Sequence, residues 1–205
     1  DFRYYDDALS ATEMNTIYTD GPNGLSPVFK PEVNWVLDAN SNYEISSKEH
    51  LIQLMNNGTL YTNTGSVPTN FYTNSFIQTV DIDLLSDSSY ILPIGNGALF
   101  AGVYDGNNLT ISNWSYVDAA FNTGTGTPIV SVGLFGYVVG TVKNVRLAGV
   151  CTLSGHGKHG GMVVGRLDGG TLYNIDCNLS TGSFLEQGDE PSLIAEQGGV
   201  VGIVE

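Results

Sequence analysis

The chain has 205 residues, 41% of them hydrophobic, and a formal net charge of −14 from 21 acidic side chains against 7 Lys and Arg. That apolar content supports a packed core and excludes a chain that stays disordered. The acidic balance excludes nucleic acid as a partner, because a phosphate backbone needs a basic surface to release its counterions. No apolar run approaches the ~20 residues that cross a bilayer, so no membrane span is expected. An acidic surface serves solubility; calcium on loop carboxylates is the alternative use, and no other cofactor is expected.

In chain order, Asp1-Phe2-Arg3-Tyr4-Tyr5 lacks the basic and apolar regions of a signal peptide and does not start with Met, so an upstream segment is expected. Phe2 and Tyr4 alternate as a strand. Ser10 and Glu13 form a capping box, and Met14, Ile17 and Tyr18 continue at helical spacing. Three prolines and two glycines in residues 21–32 mark a linker, and Asn34-Trp35-Val36-Leu37 reads as a short strand leading into the next unit. A second capping box, Ser46 with Glu49, starts a helix that carries Leu51, Ile52, Leu54 and Met55 and stops at Asn56-Asn57-Gly58. Residues 58–75 read as a long loop. Val80-Asp81-Ile82-Asp83-Leu84 alternates as a strand, with Val80, Ile82 and Leu84 inward and both aspartates outward. Phe100 to Tyr104 is a strand that feeds a tight turn, with Asp105-Gly106 and Asn107-Asn108 supplying positive φ.

From Thr110 onward the chain repeats itself at a spacing of about 30 residues. Thr110-Ile111-Ser112-Asn113-Trp114 recurs as Thr141-Val142-Lys143-Asn144-Val145 and as Thr171-Leu172-Tyr173-Asn174-Ile175. Gly133-Leu134-Phe135-Gly136 recurs as Met162-Val163-Val164-Gly165 and Gly199-Val200-Val201-Gly202. Units of this size, rich in Gly, Asn and β-branched residues, stack one supersecondary turn on the next, each supplying two or three short strands. Ile111, Val142 and Leu172 should then share one inward column, and Trp114, Val145 and Ile175 another. Asn113, Asn144 and Asn174 should form a structural ladder of side-chain amides bonded across successive turns. By the same register Cys177 falls beside Leu147, and Cys151 and Cys177 read as core thiols rather than a bridge.

Two resemblances follow from these motifs. Residues 1–20 resemble the closing strand and short helix of concanavalin-A-like, laminin-G-type lectin domains. The helix after Ile45-Ser46-Ser47, the Val80–Leu84 strand, the run from Phe100 to Ile111, and the Gly133–Gly136 and Thr141–Val145 motifs resemble GLUG-repeat proteins over residues 43–205. The second and third copies depart from that signature, with Met-Val-Val-Gly and Gly-Val-Val-Gly where Gly-Leu-Phe-Gly is expected. The resemblance implies an all-β fold with one or two short helices, a right-handed parallel β-solenoid (β-helix). It implies a lectin-like remnant at 1–20, a linker and lead-in strand at 21–42, and solenoid at 43–205 that is incomplete at its C-terminal end. It also implies a stalk or spacer role in large secreted or surface-attached proteins, with no catalytic residues to carry over.

Candidate sites are sparse. His156 and His159 lie three apart in a Gly-rich loop, and Asp81 and Asp83 share one strand face; either pair could hold a metal, and either has a plain structural explanation. The aspartates could also act as a carboxylate pair of a polysaccharide-cleaving enzyme. Tyr61, Tyr72, Tyr90 and Tyr116, with Phe71 and Phe121, are candidate glycan contacts. Glycosylation sequons begin at Asn57, Asn108, Asn113 and Asn178, and Asn57 is the favoured acceptor. No nucleophilic triad or phosphate loop stands out. The expectation is a non-enzymatic structural and adhesive segment of a large extracellular, cell-surface or virion protein, a rigid spacer for lectin-like modules. Its partners would be further coils or other protein chains at the open end of the solenoid, and a cell-surface glycan. The alternatives are a minor capsid or fibre component of a large virus, and a polysaccharide lyase or hydrolase.

Overall fold

The computed structural model describes residues 33–55, 71–85, 92–95, 98–117, 131–154, 159–185 and 196–205, all within the compact unit Glu32–Glu205. The lectin-like segment, the linker up to residue 32, Asn57, Tyr61, Tyr90, Phe121 and His156 lie outside the described residues. The described part is mostly β-strand with one α-helix, and its strand pairs are parallel.

Residues Asn34 to Leu37 do not form the expected strand: Leu37 makes only an isolated antiparallel bridge to Tyr43. The reason is the turn that follows at once. Asp38 Oδ1 accepts from the backbone N–H groups of Asn40 and Asn42, both at 2.8 Å, and Ser41 takes φ 64. After β1 (Tyr43–Ile45) comes α1 (Lys48–Met55), one residue out of phase with the expected cap. Ser47, not Ser46, is the N-cap, and its hydroxyl meets His50 Nδ1 at 3.1 Å where a capping box would place Glu or Gln. His50 Nε2 faces the Asn34 carbonyl at 3.1 Å. A carbonyl only accepts, so the hydrogen sits on Nε2 and Nδ1 accepts from Ser47. The buried His50 thereby ties the helix start to the preceding segment.

Beyond a short 3-10 turn (Phe71–Thr73), the strands fall into tiers that pair by register. Along one line, Tyr43 of β1 pairs with Phe76 of β2 (Ser75–Gln78), Phe76 with Tyr104 of β4 (Val103–Asp105), and Tyr104 with Val142 of β9 (Thr141–Ser154). Val142 pairs in turn with Leu172 of β12 (Thr171–Leu185). Along the next, Ile82 of β3 (Ile82–Asp83) pairs with Ile111 of β5 (Thr110–Ser112), and Ile111 with Leu147, which pairs with Cys177. A third line joins β6 (Ser115–Val117) to β9 through Ser115 and Thr152. Two smaller parallel sheets contain β7 (Ser131–Val132), β10 (His159–Gly161) and β13 (Glu196–Gly198), and β8 (Phe135–Val138), β11 (Val164–Leu167) and β14 (Val201–Val204).

The core is what these lines bury. Tyr104, Ile111, Val142, Val145, Leu147, Cys151 and Leu153 are fully enclosed or nearly so. Each such aliphatic side chain contributes about 1.5–3 kcal/mol by leaving water. Aromatic rings fill the wider spaces edge to face: Phe100 against Phe135 at 5.2 Å and Tyr104 against Phe135 at 5.1 Å. Gln78 is the polar exception. It accepts from the Tyr104 hydroxyl at 3.1 Å and donates to the Val80 carbonyl at 2.8 Å, so its burial leaves its oxygen and nitrogen partnered. That bond to Val80 belongs to the turn out of β2, and Val80 itself stands 38% exposed, against the expected inward placement; Ile82 and Leu84 are buried.

Two inward columns also need correction. Ile111 pairs with Leu147 and not with Val142, whose neighbour is Tyr104. Trp114, which immediately precedes the Ser115–Thr152 pair, is out of step with Val145, while Val145 and Ile175 do pair. The register of the Gly133–Gly136 motif and its copies, by contrast, holds: Phe135 pairs with Val164, and Val164 with Val201. This brings Gly165 against its neighbours so closely that a Cβ there would lie 2.6 Å from the Val132 nitrogen.

Candidate functional site

The richest polar cluster lies at the bends between strand segments, where each tier turns a corner through a residue of positive φ. At the first corner these are Asn107 and Asn108 (φ 52 and 58), then Asn144 (φ 55), then Asn174 (φ 53). At the second they are Asn113 (φ 57) and Gly149 (φ 77). Asparagine tolerates this left-handed geometry better than other side chains with a Cβ, and its amide can then serve the backbone it has bent.

One clamp is used twice. Asp83 Oδ1 accepts the N–H of Leu85, two residues on, at 3.0 Å, and the Nδ2 of Asn113 in the next tier at 2.8 Å. Asp105 Oδ1 accepts the N–H of Asn107, again two residues on, at 2.9 Å, and the Nδ2 of Asn144 at 2.8 Å. Each aspartate thus closes its own turn and fixes the asparagine above it. Asn144 then passes the pattern up: its Oδ1 receives Asn174 Nδ2 at 2.6 Å, and Asn174 Nδ2 also donates to Asn108 Oδ1 at 2.9 Å. Asn113 spends its own Oδ1 on the Val150 N–H at 3.1 Å.

The expected three-rung ladder is therefore two columns. Asn144 and Asn174 adjoin, whereas Asn113 sits at the other corner, following the pair of Ser112 with Ala148 and facing the Gly149 region. The cause is a longer first corner in its tier. Between the pairs Asp105–Lys143 and Thr110–Arg146 the β4–β5 tier carries four residues (Gly106 to Leu109) where β9 carries two, Asn144 and Val145. Those extra residues form a tight turn, closed by the Leu109 N–H on the Gly106 carbonyl at 2.8 Å with Asn107 and Asn108 both left-handed. They displace the Thr-x-x-Asn motif of that tier from the first corner to the second.

Electrostatics follow the same contacts. Hydrogen bonds from the Asn113 side chain and the Leu85 N–H hold the Asp83 carboxyl below its ordinary value. For Asp105, partial burial pushes upward most strongly, but the Asn144 amide, the Asn107 N–H and Lys143 together outweigh it and leave the group lowered. Lys143 Nζ lies 3.1 Å from Asp105 Oδ2, and its ammonium is held above its ordinary value first by that hydrogen bond and also by one to Tyr173. Burial pushes both thiols, Cys151 and Cys177, upward; both are free, and Cys177 pairs with Leu147 as its register requires.

The remaining site residues are dispersed. Asp81 Oδ1 accepts the Thr110 N–H at 2.7 Å, so Asp81 and Asp83 each hold a different piece of backbone. His159 is half-buried on β10. Among the described residues no group of three or more His, Cys, Asp or Glu side chains is placed to hold a metal ion. Tyr72 and Tyr116 are not surface aromatics: they are 6% and 3% exposed, and the Tyr72 hydroxyl donates to the Leu54 carbonyl at 3.1 Å, sealing the helix against the sheet. Phe71 is buried beside Trp35. Sequence reasoning passed over Tyr173, the aromatic among the exposed large side chains of the described residues. Its place in a strand, alternating with the inward Leu172, was the available signal.

Comparison with protein-family models, with curated proteins and with solved structures finds no match. The GLUG-type and lectin-type likenesses thus rest on the quoted motifs alone. No helix among the described residues is long and apolar enough to cross a membrane.

Proposed function

We propose that this chain is a non-enzymatic structural and adhesive segment of a surface or virion protein, built as a right-handed parallel β-solenoid of GLUG-type repeats. In that role it spaces or displays lectin-like modules. The observation that carries the reading is the bend clamp: the asparagines and aspartates that recur tier by tier are spent on backbone N–H groups and on one another. Carboxylates held ionised by such bonds are poor general acids, since a general acid needs its proton near working pH. Support for a stacking role comes from β12 and β14, whose pairing partners among the described residues lie on one side only, β9 and β11. An unpaired edge of this kind takes up a further strand, so a further tier or another protein chain is the partner we assign to it.

The test is an incubation with neutral and acidic polysaccharides, scored for released reducing ends or unsaturated products. Background levels are expected for the wild-type chain and equally for Asp81→Asn and Asp83→Asn. Turnover that falls in either variant would establish the lyase or hydrolase instead. In parallel, sedimentation velocity should show association that grows with concentration and is suppressed by Ile175→Lys, which puts a charge at the edge tier.

A further inference from the structure

The adhesive reading leaves its ligand open, and Tyr72 and Tyr116, glycan contacts by the sequence expectation, are buried. Tyr173 is different: 48% of it stands in solvent, on the face of β12 opposite the half-buried Leu172 and Ile175. Its register partner is Lys143, whose own partner is Asp105, so a phenol, an ammonium and a carboxylate follow one another across three tiers. Lys143 Nζ is engaged with Asp105 Oδ2 at 3.1 Å. Tyr173 therefore stands beside an ion pair that is already satisfied, with about half of its side chain open.

The next residue, Asn174, is exposed, as is Asn108 one bond away. Their hydrogen bonds leave a specific remainder. Asn174 Nδ2 has two hydrogens and donates two bonds, to Asn144 and to Asn108, which leaves its Oδ1 to accept. Asn108 receives at Oδ1 and keeps both hydrogens of its Nδ2 to donate. A tyrosine thus stands next to one amide acceptor and one amide donor.

We propose that Tyr173, Asn108 and Asn174 form a shallow binding site for an uncharged pyranoside whose hydroxyls are all equatorial. The C–H groups on the sugar face pack against the Tyr173 ring, whose face carries the negative part of its quadrupole. Of two adjacent equatorial hydroxyls, one donates to Asn174 Oδ1 and the other accepts from Asn108 Nδ2. All-equatorial sugars fit best because their flat faces present only C–H. Anionic sugars are disfavoured by the net charge of −14 and by Lys143 already being neutralised by Asp105. An open face with one aromatic binds weakly, with a dissociation constant on the order of 1 mM. This inference rests on the adhesive reading and names its ligand.

The experiment is an NMR titration of the isotopically labelled chain with cellotetraose, with tetragalacturonate as the anionic control. Saturable shifts are expected at the side-chain amides of Asn108 and Asn174 and at the Tyr173 ring. Tyr173→Ala should weaken binding about fivefold or more, and Tyr173→Phe should stay within about twofold of wild type, because the stacking face is retained. Absence of saturable shifts up to about 50 mM would overturn the site. So would unchanged affinity in Tyr173→Ala with an unchanged thermal midpoint, or equal binding of tetragalacturonate. Loss of cellotetraose to shorter products during the titration would instead sink the non-enzymatic reading, so the two failures are told apart.

Discussion

The β9 and β12 tiers carry nearly the same pattern and meet different fates. In β9, Val142, Val145 and Leu147 are fully buried; their register partners in β12, Leu172, Ile175 and Cys177, are only half-buried. The residue types are alike. What differs is the number of neighbours: β9 has β4, β5 and β6 on one side and β12 on the other, and β12 has only β9 among the described residues. Burial among these strands follows pairing: β9, paired on both sides, is core, and β12, paired on one side among the described residues, is half-buried.

The sharpest way to break the comparison is to cut the same side chain from both tiers. Leu147→Ala removes a fully buried group flanked by Ile111 and Cys177 and should cost about 2–5 kcal/mol, read as a fall in the urea midpoint. Leu179→Ala, in the half-buried tier, should cost about 1 kcal/mol, because solvent already reaches the site. Equal losses would mean that the two tiers are equally enclosed.

Backbone spacing between tiers gives the next largest effect. Gly165→Ala would press a methyl group against the Val132 nitrogen at 2.6 Å, backbone that cannot swing aside, and should cost about 1–3 kcal/mol by the same assay. Gly199→Ala, where a Cβ meets nothing within 4 Å, should lie within about 0.5 kcal/mol of wild type. Gly165 closes its copy of the motif and Gly199 opens the next, at the place Met162 takes in the second copy, so a difference between them would locate the close approach of tiers.

These positions also show what could be read from sequence and what could not. The copies of the Gly133–Gly136 motif keep their register through Phe135, Val164 and Val201, and Cys177 falls beside Leu147 because Val145 and Ile175 are already in step before it. Thr-x-x-Asn misled at its first copy. The extra pair of residues in the Gly106–Leu109 turn moved Asn113 to another corner, and a motif of four residues does not encode which corner it occupies. Its displacement does not unstack the tiers, because Asp83 and Asp105 each supply the same clamp at their own corner. The burial of Tyr72 and Tyr116 is not legible in sequence, because a tyrosine in an irregular or short-strand segment has no periodicity to reveal its side, and tertiary contacts such as the Tyr72 bond to Leu54 decide it. The cap shifted from Ser46 to Ser47 because adjacent serines offer the same chemistry and only the packing of His50 chooses between them.

The corners themselves can be compared by substitution. Asn144→Ala loses a left-handed residue that also donates to Asp105 and accepts from Asn174, and about 1–2 kcal/mol of stability should go with it. Asn144→Gly relieves the backbone cost and should recover roughly half of that loss. If Gly proves as damaging as Ala, the amide bonds dominate over the left-handed geometry; if Gly restores everything, the column of amides contributes nothing.

The smallest expected effect is a pH dependence that separates the corner carboxylates from ordinary surface acids. Asp105 is lowered in the folded chain relative to its ordinary value of 3.8. A depressed carboxyl binds its proton less readily when folded, so its stabilisation is complete above the unfolded value and is lost as pH falls through the folded one. Urea midpoints should therefore hold steady from neutral pH to about 5 and fall progressively below about 4. Asp105→Asn should lower the neutral-pH midpoint and flatten the acid slope, since the amide keeps one acceptor oxygen for Asn107 and Asn144 but gives up the charge that faces Lys143. Added salt should shrink the difference between wild type and Asp105→Asn at neutral pH, because the Lys143 pair is partly exposed and screened. A difference indifferent to salt would assign the clamp to its hydrogen bonds, and the corner would then owe its hold to amides alone.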